Sequence, residues 1–254
     1  MGLIKSFFIW FFYVILLIIL YPPAFIIWIL TFLFDRKMWL LHQYSCFWAS
    51  TYTWITPWWR VTIKGKEKIE PGKAYVLVSN HQSSVDIVLL YRLFVHFKWV
   101  AKKELFRVPI IGWNMTGNRY IALRRGKRTS IFRMMNDSIK NIKAGSSVLI
   151  FPEGTRSEDS NIKNFKEGAF KLAIDSQTPI IPIVLDGTGF ALPKKGFEFQ
   201  GKQHFRIHIL DEIQVDSYSE NDIKSLTKNV QAIMTKELEE IRKEKRGEHT
   251  KRSD

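Results

Sequence analysis

No charged residue occurs between Ser6 and Phe34, and that run restricts the folds open to this chain more than any other feature. As one straight helix these residues would extend roughly 43 Å, well beyond the ~30 Å hydrocarbon core of a bilayer. Tyr21-Pro22-Pro23 interrupts the run and leaves two apolar arms, each shorter than the ~20 residues of an ordinary span. A kinked, tilted single span and a re-entrant hairpin both satisfy those lengths. The run is too long for the apolar part of a cleaved signal peptide, and no small-residue cleavage site follows it. Trp39, Tyr44, Phe47, Trp48, Tyr52, Trp54, Trp58 and Trp59 then crowd a stretch with few charges. Seven of the nine tryptophans precede residue 60, where an interfacial aromatic belt would place them. An aromatic core helix packed on a globular domain would share that composition, and the membrane is the expectation carried forward. Asp35-Arg36-Lys37 closes the run with net positive charge, which predicts a cytoplasmic location for this end and the domain beyond it.

The remaining length suits one domain of about 200 residues. The predicted division is a membrane-embedded and interfacial helical segment over 1–59 and a single α/β domain over 60–254. Val61-Thr62-Ile63, Tyr75–Ser79, Trp99-Val100-Ala101, Tyr120–Leu123, Val148–Phe151, Ile180–Leu185 and Phe205–Leu210 read as strands. Helices are predicted over Ser84–Phe94, Thr129–Lys143, Phe165–Asp175 and about Glu220–Arg246. Alternation of this kind implies a sheet flanked by helices. Pro182 cannot donate to a ladder, so it predicts an edge or a bulge.

The formal net charge of +14 asks for an anionic partner. Residues 92–128 hold ten Lys or Arg against the single acid Glu104, whereas 236–254 carries seven basic and six acidic residues. The second segment reads as a solvated helix and tail. The first is a genuinely electropositive region, with most side chains on the surface and one or two arginines reserved for a specific anion. No nucleic-acid motif is present, and a membrane-embedded N-terminus argues against that partner. The single cysteine, Cys46, excludes an internal disulfide.

Asn80-His81-Gln82-Ser83-Ser84-Val85-Asp86 follows a buried strand pattern. Histidine suits proton uptake at neutral pH, and a nearby aspartate can fix its tautomer and steady the imidazolium. Five residues turn a helix by roughly 500°, so the two side chains meet only if His81 sits in a loop and Asp86 in the first helical turn. The same spacing fits a capping box with Ser83 as N-cap and Asp86 at N3. The motif alone divides evenly between those roles. Phe151-Pro152-Glu153-Gly154-Thr155-Arg156-Ser157 is the second constellation. Gly154 lets backbone amides approach a ligand, and Thr155 and Arg156 supply donors suited to phosphate. A plain turn after a strand would look similar.

Taken in order, these motifs resemble the 1-acylglycerol-3-phosphate O-acyltransferase family. Asn80, His81 and Asp86 match NHxxxxD, Phe151–Ser157 matches FPEGTRS, and Ile181–Gly187 looks like the proline-centred fourth motif. The second motif departs from the family pattern. Gly117–Arg125 is longer, Arg124 stands at the usual acid position, and Arg125 is the preferred match for the motif's arginine. The resemblance, over roughly residues 60–215, implies a mixed-sheet acyltransferase domain flanked by helices behind an N-terminal apolar helical anchor. It implies transfer of an acyl group from acyl-CoA or acyl-carrier protein to lysophosphatidate, giving phosphatidate, with His81 as base and Asp86 orienting it. Arg125, Thr155, Arg156 and Gly154 would form the phosphate site, with Glu153 ordering the loop and Lys102 or Lys103 assisting. Neither metal nor other cofactor is expected, and the membrane partner is an anionic leaflet. Glycerol 3-phosphate or a phosphate-free lyso-lipid is the rival acceptor. A non-catalytic basic membrane-binding protein is the rival class.

Overall fold

The computed structural model describes residues 2–193 and 196–250; the part of the predicted tail at 251–254 lies outside them. Seven strands form one sheet in the order β1-β7-β6-β2-β5-β3-β4. They are β1 (Trp59–Lys64), β2 (Val76–Ser79), β3 (Phe97–Lys102), β4 (Ile121–Leu123), β5 (Ser147–Ile150), β6 (Ile180–Asp186) and β7 (Gln203–Ile209). The sheet is mixed: β6 and β7 are antiparallel, and every other pairing is parallel. β2, β5 and β6 are buried along their length, as expected of strands covered on both faces.

Their side chains divide with period two. Leu77, Leu149, Ile181, Ile183 and Leu185 pack with α3 (Val85–Tyr91) on one face. Val76, Val78, Val148 and Val184 pack on the other with α5 (Arg128–Lys143), α6 (Gly168–Ser176) and α8 (Ile223–Thr250). β2 thus feeds a helix on one face while its neighbour β5 feeds α6 on the other. Such a divergence opens a crevice at the strands' C-terminal ends, where open α/β sheets take their ligands.

Pro182 lies in an interior strand, so the edge alternative fails. Ile183 pairs with Ile209, yet Ile180 pairs with Ile213, leaving one extra residue on the partner side. The ladder slips at Pro182, which accommodates its missing N–H.

α1 (Leu3–Thr31) runs as a helix through Pro22 and Pro23, and α2 (Trp39–Trp54) folds back beside it. The Tyr44 hydroxyl donates to the Leu20 carbonyl next to the prolines. α1 is tied to the rest of the chain at both ends. Phe199 N donates to Ser6 Oγ and Trp10 Nε1 to the Phe197 carbonyl, while Arg119 Nη1 and Nη2 reach the carbonyls of Arg36 and Phe32. Meanwhile large apolar side chains such as Phe7, Phe11, Ile18 and Ile26 remain exposed along its outer face. α2 sends Cys46 into the main core.

One member of the basic segment is not on the surface. Lys98 in β3 is 1% exposed, and its Nζ donates to the carbonyls of Lys37 and Asn118 at 2.6 and 2.8 Å. It pins the α1–α2 turn to the sheet. Burial pushes its ammonium down to about 7. The unfolded chain keeps that proton to roughly pH 10.4, so native stability should rise with pH from about 7 upward. We expect the difference in unfolding free energy between wild type and Lys98→Met to grow by on the order of 3 kcal/mol between about pH 7 and 10. Denaturant melts in detergent at a series of pH values measure it; parallel curves would contradict it.

Candidate active site

His81 follows the end of β2 and Asp86 occupies the first turn of α3, so loop and helix bring them together. His81 Nδ1 lies 2.8 Å from Asp86 Oδ2, with the carboxylate fully buried and the imidazole 15% exposed. The same Oδ2 accepts the backbone N–H groups of Gln82 and Ser83 at 2.7 and 2.9 Å. Half of the capping box is therefore present: the acid reaches back to the Ser83 N–H. The reciprocal bond to the Asp86 N–H is not made: Ser83 Oγ accepts the Val85 N–H instead, at 3.4 Å, while donating to the Leu192 carbonyl. One oxygen both caps and orients. An acceptor at Nδ1 fixes the proton there and leaves Nε2 able to take another. Among the described residues, no side chain hydrogen-bonds Nε2.

The Phe151–Ser157 motif, after β5, forms the floor and wall of the histidine. The Phe151 ring stacks on His81 with centroids 4.0 Å apart and 14° between planes, and Trp99 stacks beneath Phe151 at 5.7 Å. Ser157 N donates to the His81 carbonyl at 2.7 Å. Glu153 points inward: Oε1 accepts the His81 N–H at 2.8 Å and Oε2 the Lys163 N–H at 3.2 Å. Burial raises its carboxyl to about 7 against those two bonds, and the Asp86 charge adds to the rise. Both oxygens are occupied with backbone, so the side chain orders two loops and does not face a ligand.

Asn80 and Gln82 carry the rest of the framework. Asn80 Nδ2 donates to the Leu185 carbonyl and its Oδ1 accepts the Leu185 N–H, at 2.9 and 2.8 Å. Gln82 Nε2 donates to the carbonyls of Ser160 and Leu185, and Thr188 Oγ1 donates to Gln82 Oε1. The proline-centred strand thus acts by clamping the histidine loop. Asp186 at its end accepts Arg242 Nε at 3.1 Å, and Arg242 also holds Ser160 O and Asn161 Oδ1. Arg242 sits in a helix of mixed charge, and nothing local in the sequence singles it out.

A cavity of about 620 Å³ opens beside His81. Its wall is mostly apolar, including Val14 and Leu17 of α1, Trp48 and Tyr52 of α2, and Leu105, Ile111 and Met115. Its polar lining includes Ser45, Ser84, Lys102, Asn114 and Arg125, and Gly154 lines it as well. Arg124 and Arg125 lie on the turn after β4 and not on the strand; Arg125 lines the cavity, whereas Arg124 N donates to Ser130 Oγ. Thr155 and Arg156 are half-buried beside Gly154 without lining the cavity. Gly154 has φ of 70°, and the Lys166 ammonium lies over it where a Cβ would be 3.0 Å away. That lysine is a cation the motif reading missed, for it is twelve residues downstream of the glycine and is returned by Lys166 N bonding to Pro152 O. Among the described residues no group of three metal-ligating side chains occurs. The arrangement can take a proton from a hydroxyl at Nε2, in a mostly apolar cavity that Lys102 and Arg125 also line.

A family model described as Acyltransferase matches residues 60–186. A 1-acyl-sn-glycerol-3-phosphate acyltransferase of Chlamydomonas reinhardtii is 39% identical over 153 residues, 60% of this chain and 46% of that protein. One from Saccharomyces cerevisiae is 36% identical over 186 residues, covering 71% and 60%. The chain spans about half the length of the first of these curated relatives. The crystal structure of the LPA acyltransferase PlsC from Thermotoga maritima superposes with a TM-score of 0.78, covering 95% of this chain and 96% of that one at 22% identity. That likeness concerns the fold, and it includes most of the N-terminal hairpin.

Proposed function

The chain belongs to the acyltransferase family, and we propose that it acylates lysophosphatidate to phosphatidate using a soluble acyl thioester, acyl-CoA or acyl-carrier protein. The observation that carries this reading is the His81–Asp86 pair opening on an apolar cavity that Arg125 and Gly154 also line. The acceptor's hydroxyl proton passes to His81 Nε2 while Nδ1–H stays on Asp86. The oxygen attacks the thioester carbonyl, the tetrahedral intermediate collapses with cleavage of C–S, and the leaving thiolate takes the proton back from the imidazolium. A nucleophilic side chain is unnecessary, since the acceptor supplies the attacking oxygen. Cys46 does not serve as one: it is buried, and burial pushes its thiol up. The thioester is a co-substrate, and these steps call on no other cofactor.

Arg125 and Lys102, which both line the cavity, are assigned to the acceptor phosphate together with Gly154; Thr155, Arg156 and Lys166 are assigned a supporting role next to Gly154, outside the lining. Glu153 serves by holding the His81 and Lys163 backbones. Arg125→Ala should raise KM for lysophosphatidate roughly 10- to 100-fold, the range of a lost charge-assisted contact, with a smaller change in kcat. Acylation of a phosphate-free lyso-lipid should be nearly unaffected. Equal losses on both acceptors would remove Arg125 from the phosphate site. The apolar wall favours a lipid acceptor over glycerol 3-phosphate.

α1 is fastened at both ends to one face of the domain, so it cannot cross a bilayer while the domain stays in water. We assign it to one leaflet, with its outer apolar side among the acyl chains and the domain at head-group level. The +14 charge favours the anionic cytoplasmic leaflet. Resistance to alkaline carbonate extraction, with protease access to the domain from the cytoplasmic side alone, tests that placement.

A further inference from the structure

Between β3 and β4 the chain exposes apolar side chains that the core does not use. Leu105, Val108, Ile111 and Trp113 are 44%, 38%, 43% and 55% exposed. They belong to a 3-10 turn (Lys103–Arg107), the link after it, and the short helix α4 (Ile111–Gly117). The link is strained. Ile110 has φ 65° and ψ −60°, and Ile111 N donates to the Pro109 carbonyl at 2.7 Å. This is a γ-turn of positive φ, which costs a β-branched residue about 1–3 kcal/mol. The turn sends Ile110 inward against Ala24, Met38, Leu41 and Trp48 and leaves Val108 and Ile111 outside. Gly112 permits it, because a Cβ there would overlap the Phe106 carbonyl.

An exposed apolar cluster of this kind marks an interaction surface. Its surroundings identify the partner. The Trp113 ring lies 5.6 Å from that of Tyr21, which in turn lies 6.2 Å from the ring of exposed Phe25, so the cluster adjoins the exposed apolar side of α1. Its rim is cationic: Lys102, Lys103 and Arg107 are exposed, and Glu104 is the one acid between residues 92 and 128. Apolar side chains with a tryptophan beneath a basic rim complement an anionic lipid surface. Leu105 and Ile111 also line the His81 cavity, as do Val14 and Leu17 of α1.

We propose that Lys103–Trp113 is a second membrane-contacting element, and that the cleft between it and α1 is the lateral door by which a lipid acceptor passes from the leaflet to His81. The membrane contact stands on the surface itself; the identity of what passes rests on the reaction proposed above. Cys46 is buried and is the chain's single cysteine, so single-cysteine labelling is direct. The full chain carrying Val108→Cys or Trp113→Cys, labelled with an environment-sensitive dye, is reconstituted in phosphatidylcholine vesicles containing phosphatidylglycerol. Brominated lipids should quench both labels several-fold more than a label at Asn229→Cys on α8, across the sheet. Quenching no greater than at position 229 would overturn the contact. The double variant Val108→Asp with Trp113→Asp should lose roughly tenfold in turnover of vesicle-borne lysophosphatidate, the effect of two desolvated apolar anchors made polar. Its turnover of a monomeric short-chain lysophosphatidate should match wild type. Equal loss on both acceptors would overturn the door. If the wild type acylated neither acceptor, the proposed reaction would fail while the quenching result still decided the membrane contact.

Discussion

His81→Ala is expected to lower kcat on lysophosphatidate roughly 10³- to 10⁴-fold, near the upper end for loss of a positioned general base. The His81 imidazole is held in one position. It is stacked on Phe151 and fixed through Nδ1 by a buried carboxylate. Residual turnover would come from holding the two substrates together. Stability should change little, because the Asp86 carboxylate keeps its two backbone donors from Gln82 and Ser83. Saturating turnover and a thermal melt in the same detergent separate the two effects. A variant with intact folding and activity within tenfold of wild type would remove His81 from the chemistry.

Asp86 should separate geometry from charge. All three of its hydrogen bonds end on Oδ2, and Oδ1 is buried with no partner. In Asp86→Asn the amide oxygen can occupy the Oδ2 place and keep every contact, including the acceptor for Nδ1–H. The tautomer is then preserved and only the negative charge beside the forming imidazolium is lost. We expect kcat to fall about 10²- to 10³-fold with little change in KM, less than in systems where the asparagine turns the histidine to the wrong tautomer. Asp86→Ala removes the acceptor as well. It leaves the Gln82 and Ser83 N–H groups unpaired in the interior, each costing about 1–3 kcal/mol. The alanine variant should therefore lose both activity, as severely as His81→Ala, and several degrees of Tm. Equal kcat for the asparagine and alanine variants would show that orientation contributes nothing beyond charge.

The site was legible in the sequence where a motif is both short and placed at a strand end. Residues 80–86 and 151–157 supply the histidine, its carboxylate and the loop below it, and the strand pattern put both at the end of a buried β-strand. The orientation of individual side chains was not legible. Glu153, in a phosphate-type loop, turns inward because two backbone N–H groups need its carboxylate, a demand that arises only once the β2 and β5 loops meet. Lys166 and Arg242 reach the same region from positions that no local pattern connects to it.

The fold was read less well where sequence rules assume an average environment. Lys98 lies within a basic segment whose side chains belong mostly at the surface, but two orphan carbonyls draw it into the core. Pro182 would ordinarily mark an edge strand; a one-residue slip in the β7 side of the ladder admits it to the middle of the sheet. α4 gave no helical signal because it has only seven residues, with glycine at both 112 and 117. Pro22 and Pro23 suggested a break, yet the helix continues, with α2 packed alongside and Tyr44 bonding to the backbone beside them.

The most direct test of the central claim is the mass of the lipid formed by the purified full chain from lysophosphatidate with acyl-CoA or acyl-carrier protein as donor. The account predicts a phosphatidate heavier by one acyl group with at least one donor, free thiol released in equal amount, and no acyl group retained on the protein. Wild-type protein that bound vesicles but formed no phosphatidate with either donor would contradict it, as would an acyl-enzyme that accumulated before product.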